Sequence, residues 1–254
     1  MSSRKKRVIG IIPARYASVR FQGKPLADIH GKPMIWWTYH QAKKARLLTD
    51  VVVATEDERI GRACEELSMP YVMTGKNHKT GTDRVAEAAR YVRADIYINV
   101  QGDEPIMDPK IIDVIAKAML EDPSIHVLNL MSEITEMHEL VSSTVPKVVV
   151  NTKNEAMCYS RLPIPFPKGH TTKYRKQIGM YGFRPEALKK FAALPQGPME
   201  QSEEIELFRF VENAIPVKMI EVKSDNVAVD TPADLEFVKK IIAKRMKKSG
   251  TKSR

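Results

Sequence analysis

Short apolar runs rich in β-branched residues alternate with longer segments of helical periodicity over the first 150 residues of the chain. The apolar runs occupy residues 8–12, 51–54, 71–73, 96–100, 126–130 and 147–150. The segments with helical spacing occupy residues 34–48, 57–68, 82–93 and 110–122. Apolar runs of this length are typical of strands that are buried on both faces. Strands that alternate with helices predict βαβ units, and therefore an α/β fold with a mostly parallel sheet.

The pattern changes after about residue 150. Residues 161–176 contain three closely spaced prolines, which predicts an extended loop. The pattern then predicts a strand at 177–183, a helix at 199–215, a strand at 217–222 and a closing helix at 231–248. Thr231 and Pro232 suit the N-cap and the first position of that last helix. No Gly/Ser-rich linker divides the chain, so we predict one domain over residues 1–254, with a smaller lobe at roughly 130–215 and a basic tail at 240–254.

Positive charge is concentrated near the two ends of the sequence. The net charge is +10, with four Lys or Arg residues at positions 4–7 and eight more at 239–254, and neither segment contains an acid. The body between these segments is therefore close to neutral, which is typical of solvated basic ends. A nucleic-acid-binding face would combine basic residues with stacking aromatics, and aromatics make up only 7% of the chain. We expect no nucleic-acid partner.

Hydropathy and cysteine content favour a cytoplasmic protein. No apolar run approaches the roughly 20 residues that span a bilayer, and the run at residues 8–12 is too short for a secretory signal. The two cysteines, Cys64 and Cys158, are far apart and lack the spacing of a metal site. We expect no stable membrane insertion and no disulfide framework.

The first apolar run is followed by a loop that carries three cations, Arg15, Arg20 and Lys24. Ligands of open parallel sheets bind outside the carboxyl ends of the strands, so Arg15 and Lys24 are well placed for a multiply charged anion such as a triphosphate. The chain contains neither GxxxxGK[ST] nor GxGxxG, which disfavours the nucleotide-binding folds with those fingerprints. A solvated basic loop is the alternative.

Two aspartates follow later strands. Asp103 comes after the apolar run at 96–100, and Asp230 lies between a short apolar run and the last helix. Mg²⁺ is bound in proteins by one or two carboxylates together with substrate phosphates, so the two aspartates could share one metal ion. An ordinary turn and a helix cap are the alternatives. The segment GTDRVAEA at 81–88 begins a helix whose N-terminus could face an anion or a base edge.

Taken together and in this order, these segments resemble the 3-deoxy-manno-octulosonate cytidylyltransferase family, the CMP-Kdo synthetases. The resemblance extends from about Val8 to Lys239 and rests on the segments IPARYASVRFQGKPLADIHGKPMI, VVVATEDERI, HKTGTDRVAEA, YINVQGDEP, TVPKVVVN, YSRLPIPFP, IGMYGFR, MEQSEEIELFR and VAVDTPADLE. It implies a nucleotidyltransferase fold, Rossmann-like or GT-A-like, with a smaller dimerisation lobe. It also implies the use of CTP and Mg²⁺ to make a CMP-linked sugar acid, a homodimer, and a role in lipopolysaccharide or capsule synthesis.

The resemblance assigns roles on the nucleotide side. It implies that Arg15, Lys24 and Asp103 are catalytic, and that Asp103 and Asp230 hold the metal ion. The nucleotide-binding residues that it implies are Arg15, Ser18, Lys24, Thr82, Arg84 and Gln101. The implied reaction is an attack of the anomeric hydroxyl of the sugar acid on the α-phosphate of CTP, in which positioning and charge neutralisation supply most of the rate.

On the sugar side, the residues that the resemblance implies are Arg161, Gln177, Tyr181, Glu200 and Gln201. An arginine suits a bidentate contact with the sugar carboxylate, and polar residues such as Glu200 and Gln201 suit the sugar hydroxyls. Glu206 and Arg209 continue the acidic helix at steps of three. Because such steps drift around a helix, we interpret these two as salt-bridged surface.

The chain departs from the family pattern mainly on the sugar side. Gln177 stands where the family carries a histidine that faces the sugar, and an amide donates and accepts hydrogen bonds but never becomes a cation. Glu204 stands where a serine is usual, and Glu56 stands where an aspartate is usual. We therefore expect cytidylyl transfer to Kdo or to a close relative, such as an amino-substituted or a nine-carbon sialic-type acid.

Two other functions stay open at this point. One is a nucleotidyltransferase or glycosyltransferase of similar fold that uses a different nucleotide, which predicts activity with UTP or with sugar phosphates. The other is a non-catalytic binder of nucleic acid or membrane surfaces, which predicts binding that depends on the basic ends and not on Asp103. The presence of both aspartates and of the cationic loop favours the enzyme.

Overall fold

The computed structural model describes residues 4–18, 21–169, 173–224 and 227–250, with side chains as far as residue 247. Its strands are β1 (Val8–Ala14), β2 (Asp28–Ile29), β3 (Lys32–Pro33), β4 (Asp50–Thr55), β5 (Tyr71–Met73), β6 (Ile96–Asn99), β7 (Val127–Glu133), β8 (Lys147–Val150), β9 (Ala156–Ser160), β10 (Arg175–Phe183) and β11 (Lys218–Glu221). Its helices are α1 (Met34–Ala42), α2 (Glu58–Glu66), α3 (Gly81–Tyr91), α4 (Pro109–Glu121), α5 (Met137–Val141), α6 (Pro185–Ala193), α7 (Pro198–Glu203), α8 (Phe208–Val211) and α9 (Pro232–Gly250). Each strand and helix predicted within the first 150 residues is present, although α1 ends at Ala42 and not at residue 48.

The central sheet has the strand order β11-β7-β10-β6-β1-β4-β5. Strand β1 lies parallel to both β4 and β6, β4 lies parallel to β5, and β7 lies parallel to β11. Strand β10 is antiparallel to both of its neighbours in this order, β6 and β7. The expectation of an α/β fold with a mostly parallel sheet is confirmed. The parallel strands bring the loops after β1, β4 and β6 to the same edge of the sheet.

Both faces of the sheet are covered. Alternate residues of β1 belong to different cores, with Ile12 in one core and Ile11 in the other. The first core contains buried side chains of α1, α2 and α4, and the second contains those of α3, α6 and α8. This double burial explains why β1 is a continuous apolar run rather than an alternating one.

The single helix predicted at 199–215 is wrong. Glu204 adopts a left-handed conformation (φ 51°, ψ 42°) at the end of α7, and helix α8 starts only at Phe208. The reason lies in the apolar positions, since Ile205, Leu207, Phe208 and Phe210 are all buried. On one continuous helix, at about 100° per residue, these four side chains would point in all directions around the axis. The break allows all of them to enter the core.

The range 130–215 does not form a separate sheet. Strand β10 from this range lies between β6 and β7, and the β8–β9 hairpin extends from β10. Helix α9 continues to Gly250, so most of the segment predicted as a basic tail is helical, and Ile242 within it is buried. Residues 251–254 lie outside the described residues. Among the described helices, none is both long and apolar enough to cross a membrane.

Candidate active site

A main-chain hydrogen bond closes the loop after β1. The carbonyl oxygen of Tyr16 accepts a hydrogen bond from the N–H of Gly23 at 2.9 Å. Arg15 and Lys24 are the residues that flank this closure, so the loop brings its two ends, and both cations, to the same end of β1. Gly23 has φ 69°, and a Cβ there would lie 3.1 Å from the Tyr16 ring. A residue without a side chain is therefore needed at this position. The predicted third cation, Arg20, lies outside the described residues.

Lys24, Asp103 and Asp230 converge at this edge of the sheet. The Lys24 ammonium lies 2.7 Å from Oδ2 of Asp103 and 3.5 Å from Oδ1 of Asp230, and it also donates to the Val229 carbonyl at 2.8 Å. The three side chains are 15%, 26% and 35% exposed. They are close enough to interact strongly, yet they remain open to solvent and to a ligand. The structure thus brings together three of the residues predicted from the sequence.

Two carboxylates that converge on one cation form a donor set of the kind that Mg²⁺ requires. Within the described residues, no group of three or more His, Cys, Asp or Glu side chains could hold a metal ion. A third protein ligand is not needed where substrate phosphates complete the coordination. The Lys24 ammonium lies between Asp103 and Asp230, as a positive ion shared by both would. The two aspartates therefore fit a divalent metal ion.

Close packing against β1 fixes the main chain at Asp103. A Cβ on Gly102 would lie 2.8 Å from the carbonyl oxygen of Pro13, so only glycine allows this approach. The Thr38 hydroxyl donates to the Gly102 carbonyl at 3.1 Å. The N–H of Val229 donates to the Asp103 carbonyl at 2.9 Å. These contacts tie the loop after β6 to β1, to α1 and to the segment before α9.

An open cavity of about 360 Å³ lies beside the first loop and is lined by Arg15, Ala17, Ser18 and Gln22. The Arg15 side chain is exposed, and the Ser18 hydroxyl accepts a hydrogen bond from the N–H of Phe21 at 3.4 Å. The volume lies within the usual range of small-molecule sites. Arg15 and Ser18 can therefore contact an anion that enters from solvent.

The N-terminus of α3 already faces an anion, and that anion belongs to the protein. The N–H of Thr82 donates to Oε2 of Glu206 at 2.9 Å, and the buried Thr82 hydroxyl accepts from Asn99 at 3.2 Å. Burial raises the pKa of Glu206 above its ordinary value, and the hydrogen bonds from Thr82 and Thr80 offset only part of this effect. Thr82, predicted as a nucleotide contact, is thus placed beneath the surface.

Arg84, the other α3 residue predicted to bind nucleotide, is also buried. Its guanidinium donates to the Thr74 hydroxyl at 2.5 Å and to the Gly75 carbonyl at 3.3 Å, and it forms an ion pair with Glu56 at 2.7 Å. Burial lowers the pKa of Arg84, the Glu56 carboxylate opposes this effect, and the charge of Arg15 adds to it. Arg84 therefore lies near Arg15, but its hydrogen bonds and its ion pair are made with protein atoms.

Gln101, Gln177 and Tyr181 lie along one face of β10. A Cβ on Gly179 would lie 3.1 Å from Cγ of Gln101, which places Gln101 against this strand two residues from Gln177. Burial raises the pKa of Tyr181 well above its ordinary value, and the charges of Glu206, Glu104 and Asp103 add to this effect. The phenol therefore stays protonated. Nε2 of Gln177 is buried and has no hydrogen-bond partner among the described residues.

The remaining predicted sugar residues lie in internal contacts of the lobe. Arg161 donates to the main-chain carbonyls of Glu203 at 2.7 Å and of Ser143 at 2.8 Å. Both carboxylate oxygens of Glu200 accept from Arg209, at 2.6 and 2.8 Å. Gln201 is exposed and donates to the Gln196 carbonyl. These contacts leave the sugar-binding roles as predictions.

The interpretation of Arg209 as a surface residue is wrong. Its side chain is 3% exposed and also forms an ion pair with Asp83 on α3 at 2.7 Å. Burial by itself lowers the pKa of the Arg209 guanidinium. The hydrogen bonds and charges of Glu200 and Asp83 have the larger effect, so the pKa is raised. The salt bridges themselves were expected. Their burial was not, because Arg209 and its two partners come from three separate elements.

Sequence reasoning missed the contacts of Glu56 with the first loop. Oε1 of Glu56 accepts a hydrogen bond from the main-chain N–H of Tyr16 at 3.2 Å. The available signal was its position, since Glu56 directly follows Thr55, the last residue of β4. An acid at the carboxyl end of a strand next to β1 lies at the same sheet edge as the cationic loop.

Comparisons with known proteins agree with this geometry. A cytidylyltransferase family model matches residues 9–224. The 3-deoxy-manno-octulosonate cytidylyltransferase of Geobacter sulfurreducens is 40% identical over 244 residues, which cover 91% of this chain and 97% of the relative. The chain belongs to the 3-deoxy-manno-octulosonate cytidylyltransferase family. The enzyme of the same name from Escherichia coli is 39% identical, with 94% of this chain and 98% of the relative covered.

A solved structure of a relative supports the same conclusion. The structure of CMP:2-keto-3-deoxy-manno-octonic acid synthetase in complex with CTP superposes with a TM-score of 0.89 at 38% identity, covering 94% of this chain and 99% of the other. A Leptospira borgpetersenii cytidylyltransferase with a TM-score of 0.64 is only 17% identical and shows the fold alone. The expected family and the nucleotidyltransferase class are confirmed. The roles of the individual site residues stay predictions.

Proposed function

We propose that the protein transfers a cytidylyl group from CTP to a 3-deoxy-2-keto sugar acid, Kdo or a close relative, and releases pyrophosphate. The observation that carries this proposal is the convergence of Lys24, Asp103 and Asp230 at the end of the sheet where the loops after β1 and β6 meet. The oxygen of the anomeric hydroxyl forms a bond to the α-phosphorus of CTP. The bond from that phosphorus to the bridging oxygen of pyrophosphate breaks, and the hydroxyl proton goes to solvent or to a nearby base.

The residues around the first loop would do most of the work by position and charge. Arg15 and Lys24 flank the closed loop, so both can approach the phosphates of one nucleotide and stabilise the leaving pyrophosphate. Ser18 and Gln22 line the cavity beside Arg15. Gln101 would meet the cytidine or the sugar next to it. Thr82 and Arg84, which are buried, would support the nucleotide site without contacting the ligand.

Asp103 and Asp230 would hold a divalent metal ion, for which Mg²⁺ is the expected choice. When bound, such an ion supplies positive charge to phosphate oxygens and lowers the pKa of an attacking hydroxyl. The carboxylates meet this need because both point at one cation position and both are partly open to solvent. Lys24 would then be free to turn from the aspartates to the phosphates.

The sugar acid would lie along β10. Gln177 presents a buried donor without a hydrogen-bond partner in the described part of the chain, and Tyr181 presents a protonated phenol. Arg161, Glu200 and Gln201 would act mainly by shaping the lobe unless ligand binding rearranges them. The neutral amide of Gln177 is the specific observation that favours a relative of Kdo as a second candidate. A CMP-linked product of this kind would serve a glycosyl transfer in lipopolysaccharide or capsule synthesis.

A homodimer built on the smaller lobe is part of the proposal. In the described residues β9 pairs as a strand only with β8, and beyond the hydrogen bond from the N–H of Ala156 to the Val217 carbonyl at 2.9 Å no further strand is paired with its other edge. Unpaired strand edges favour association with a second chain. Large apolar side chains are exposed on β9, on the loop after it and on α5: Met157, Leu162, Phe166, Met137 and Val141. The cytoplasm stays the expected compartment, since the reaction needs CTP.

The first experiment measures pyrophosphate release with CTP and Mg²⁺ across Kdo, its amino-substituted relatives and nine-carbon sialic-type acids. Release with one of these acids, and not with UTP in place of CTP, is the expected result. Asp103→Asn should lower turnover roughly 10²–10³-fold, because it removes a group that fixes charge at the reacting phosphates. The exposed Glu66→Gln on α2 makes the same charge change away from the site and should have no effect.

Each outcome separates the candidate functions. Release only with a sugar acid other than Kdo would keep the reaction and change the substrate. Release with UTP and sugar phosphates would support the other nucleotidyltransferase. Turnover that survives Asp103→Asn would show that the aspartate pair is not the metal site.

A further inference from the structure

Glu56 connects two parts of the molecule that are distant in sequence. One carboxylate oxygen, Oε1, accepts a hydrogen bond from the main-chain N–H of Tyr16 at 3.2 Å. The other, Oε2, forms an ion pair with the guanidinium of Arg84 at 2.7 Å. The Glu56 side chain is only 12% exposed and that of Arg84 only 5%. Oε2 makes this contact as an ion pair without hydrogen-bond geometry, so the carboxylate is held by charge at one oxygen and by a main-chain N–H at the other.

Tyr16 connects the Glu56 carboxylate to the cationic loop. It directly follows Arg15, and its carbonyl oxygen accepts from Gly23, the residue before Lys24. Its ring packs against Gly23 on one side, and the Arg59 guanidinium lies over the ring at 3.3 Å from the centroid. The main chain of Tyr16 is therefore held at its N–H by Glu56 and at its carbonyl by Gly23. Both contacts lie next to a predicted triphosphate-binding cation.

Arg84 supplies the charge that keeps Glu56 in place. The Thr74 hydroxyl and the Gly75 carbonyl hold the guanidinium from the other side. Helix α3 therefore anchors Arg84, Arg84 anchors Glu56, and Glu56 anchors the first loop. These contacts form one continuous series from α3 to Arg15.

We propose that Glu56 is a positioning residue for the triphosphate-binding loop, and that Arg84 acts on the nucleotide through Glu56 rather than by direct contact. The proposal rests on the proposed function of this site and deepens it. Holding the loop in its binding geometry before the ligand arrives lowers the ordering cost of binding. The benefit falls on ligands that carry the β- and γ-phosphates, because those are the groups that Arg15 and Lys24 would meet.

The length of the side chain is part of the inference. The carboxylate of Glu56 reaches Tyr16 with one oxygen and Arg84 with the other. Aspartate keeps the charge but is shorter by one methylene, so on this backbone it cannot keep both contacts. Glu56→Asp is therefore a sharp variant, because it changes reach without changing charge.

The test compares the dissociation constants of CTP and CMP by calorimetry for the wild-type protein, Glu56→Asp and Glu58→Gln. Glu58 is exposed on α2, two residues away, and serves as the control. Glu56→Asp should raise the Kd of CTP roughly tenfold, the effect of losing one hydrogen bond to a charged group. The Kd of CMP should not change. A merely destabilised protein would weaken both ligands equally, so the ratio of the two constants isolates positioning.

A double-mutant cycle tests the part of Arg84. If Arg84 acts through Glu56, the loss of CTP affinity in Glu56→Gln/Arg84→Met equals the larger of the two single losses. If Arg84 contacts the nucleotide itself, the losses add. Should Arg84→Met fail to fold, Arg84→Lys retains a cation at this position and replaces it in the cycle.

The outcomes separate this inference from the proposed function. Failure of the wild-type protein to bind CTP contradicts the proposed function. Normal CTP binding by Glu56→Asp, or an equal loss for CTP and CMP, overturns the positioning role while leaving the function intact. Additive losses in the cycle overturn the indirect role of Arg84.

Discussion

The paired charged side chains at the two ends of the proposed site differ in their exposure to solvent. At the nucleotide end, Lys24 is paired with Asp103 and Asp230, and all three side chains remain partly exposed. In the lobe, Arg209 is paired with Glu200, and both side chains are at most 3% exposed. Lys147 in the lobe is fully buried and donates to the carbonyls of Ser142 and Arg161, and burial lowers its pKa.

The two ends differ in whether a solute can replace the partners of their charged side chains. Phosphates and a metal ion can reach the Lys24 cluster from solvent and exchange for its present contacts. Arg209, its partner Glu200 and Lys147 are themselves buried, so a solute can reach their contacts only if the core opens. We therefore expect changes at the nucleotide end to alter ligand binding, and changes in the lobe to alter stability first.

The largest expected effect is on the lobe. Arg209→Met would leave Glu200 and Asp83 without their shared cation, with Glu200 in a buried site. Removal of one partner from a buried ion pair costs about 3–5 kcal/mol of the free energy of unfolding. Urea denaturation of the purified protein would measure this loss.

The exposed Arg62→Met on α2 is the matched control, since it removes the same charge from the surface. Glu200→Gln/Arg209→Met should recover part of the stability, because the uncompensated carboxylate of Glu200 is then absent as well. A loss for Arg209→Met below about 1 kcal/mol, the usual value of an exposed pair, would contradict the contrast between the two ends.

A second prediction concerns the cation position between the two aspartates. The Lys24 ammonium lies where a metal ion shared by Asp103 and Asp230 would lie, so the two compete. Lys24→Met should raise the affinity of the nucleotide-free protein for Mn²⁺ roughly tenfold or more, because two carboxylates lose their internal countercharge. Electron paramagnetic resonance of free Mn²⁺ measures this without any turnover.

Lys43→Met provides the comparison for Lys24→Met, since Lys43 pairs with Asp50 on the surface. It should leave Mn²⁺ binding unchanged. Asp103→Asn introduced into the Lys24→Met protein should abolish the gain. An unchanged Mn²⁺ affinity in Lys24→Met would mean that lysine and metal occupy different positions.

The nucleotide end was also the easier end to predict from the sequence. Lys24 and Asp103 follow apolar strands, and parallel strands place such residues at one sheet edge, so local pattern and topology were enough. Glu56 escaped notice because one of its partners is a main-chain N–H, which no residue type reveals. Arg209 was misplaced because Asp83 and Glu200 meet it only after three elements pack together. The break at Glu204 was missed because core packing, not local propensity, decides it.

The smallest expected effect tests the point at which the two ends meet, at Gln177 on β10. Its amide carries no charge at any pH, so the KM for the sugar acid in the wild-type protein should show no titration from this position. Gln177→His should introduce one near pH 6.5, the approximate unperturbed pKa of histidine. Below that pH the imidazolium would attract the sugar carboxylate, so KM should fall a few-fold as the pH decreases.

Gln177→Asn, which shortens the side chain but stays neutral, should change KM without adding a titration. Identical pH profiles for the wild type and Gln177→His would place this side chain away from the sugar acid, and the buried donor on β10 would then belong to the architecture of the lobe.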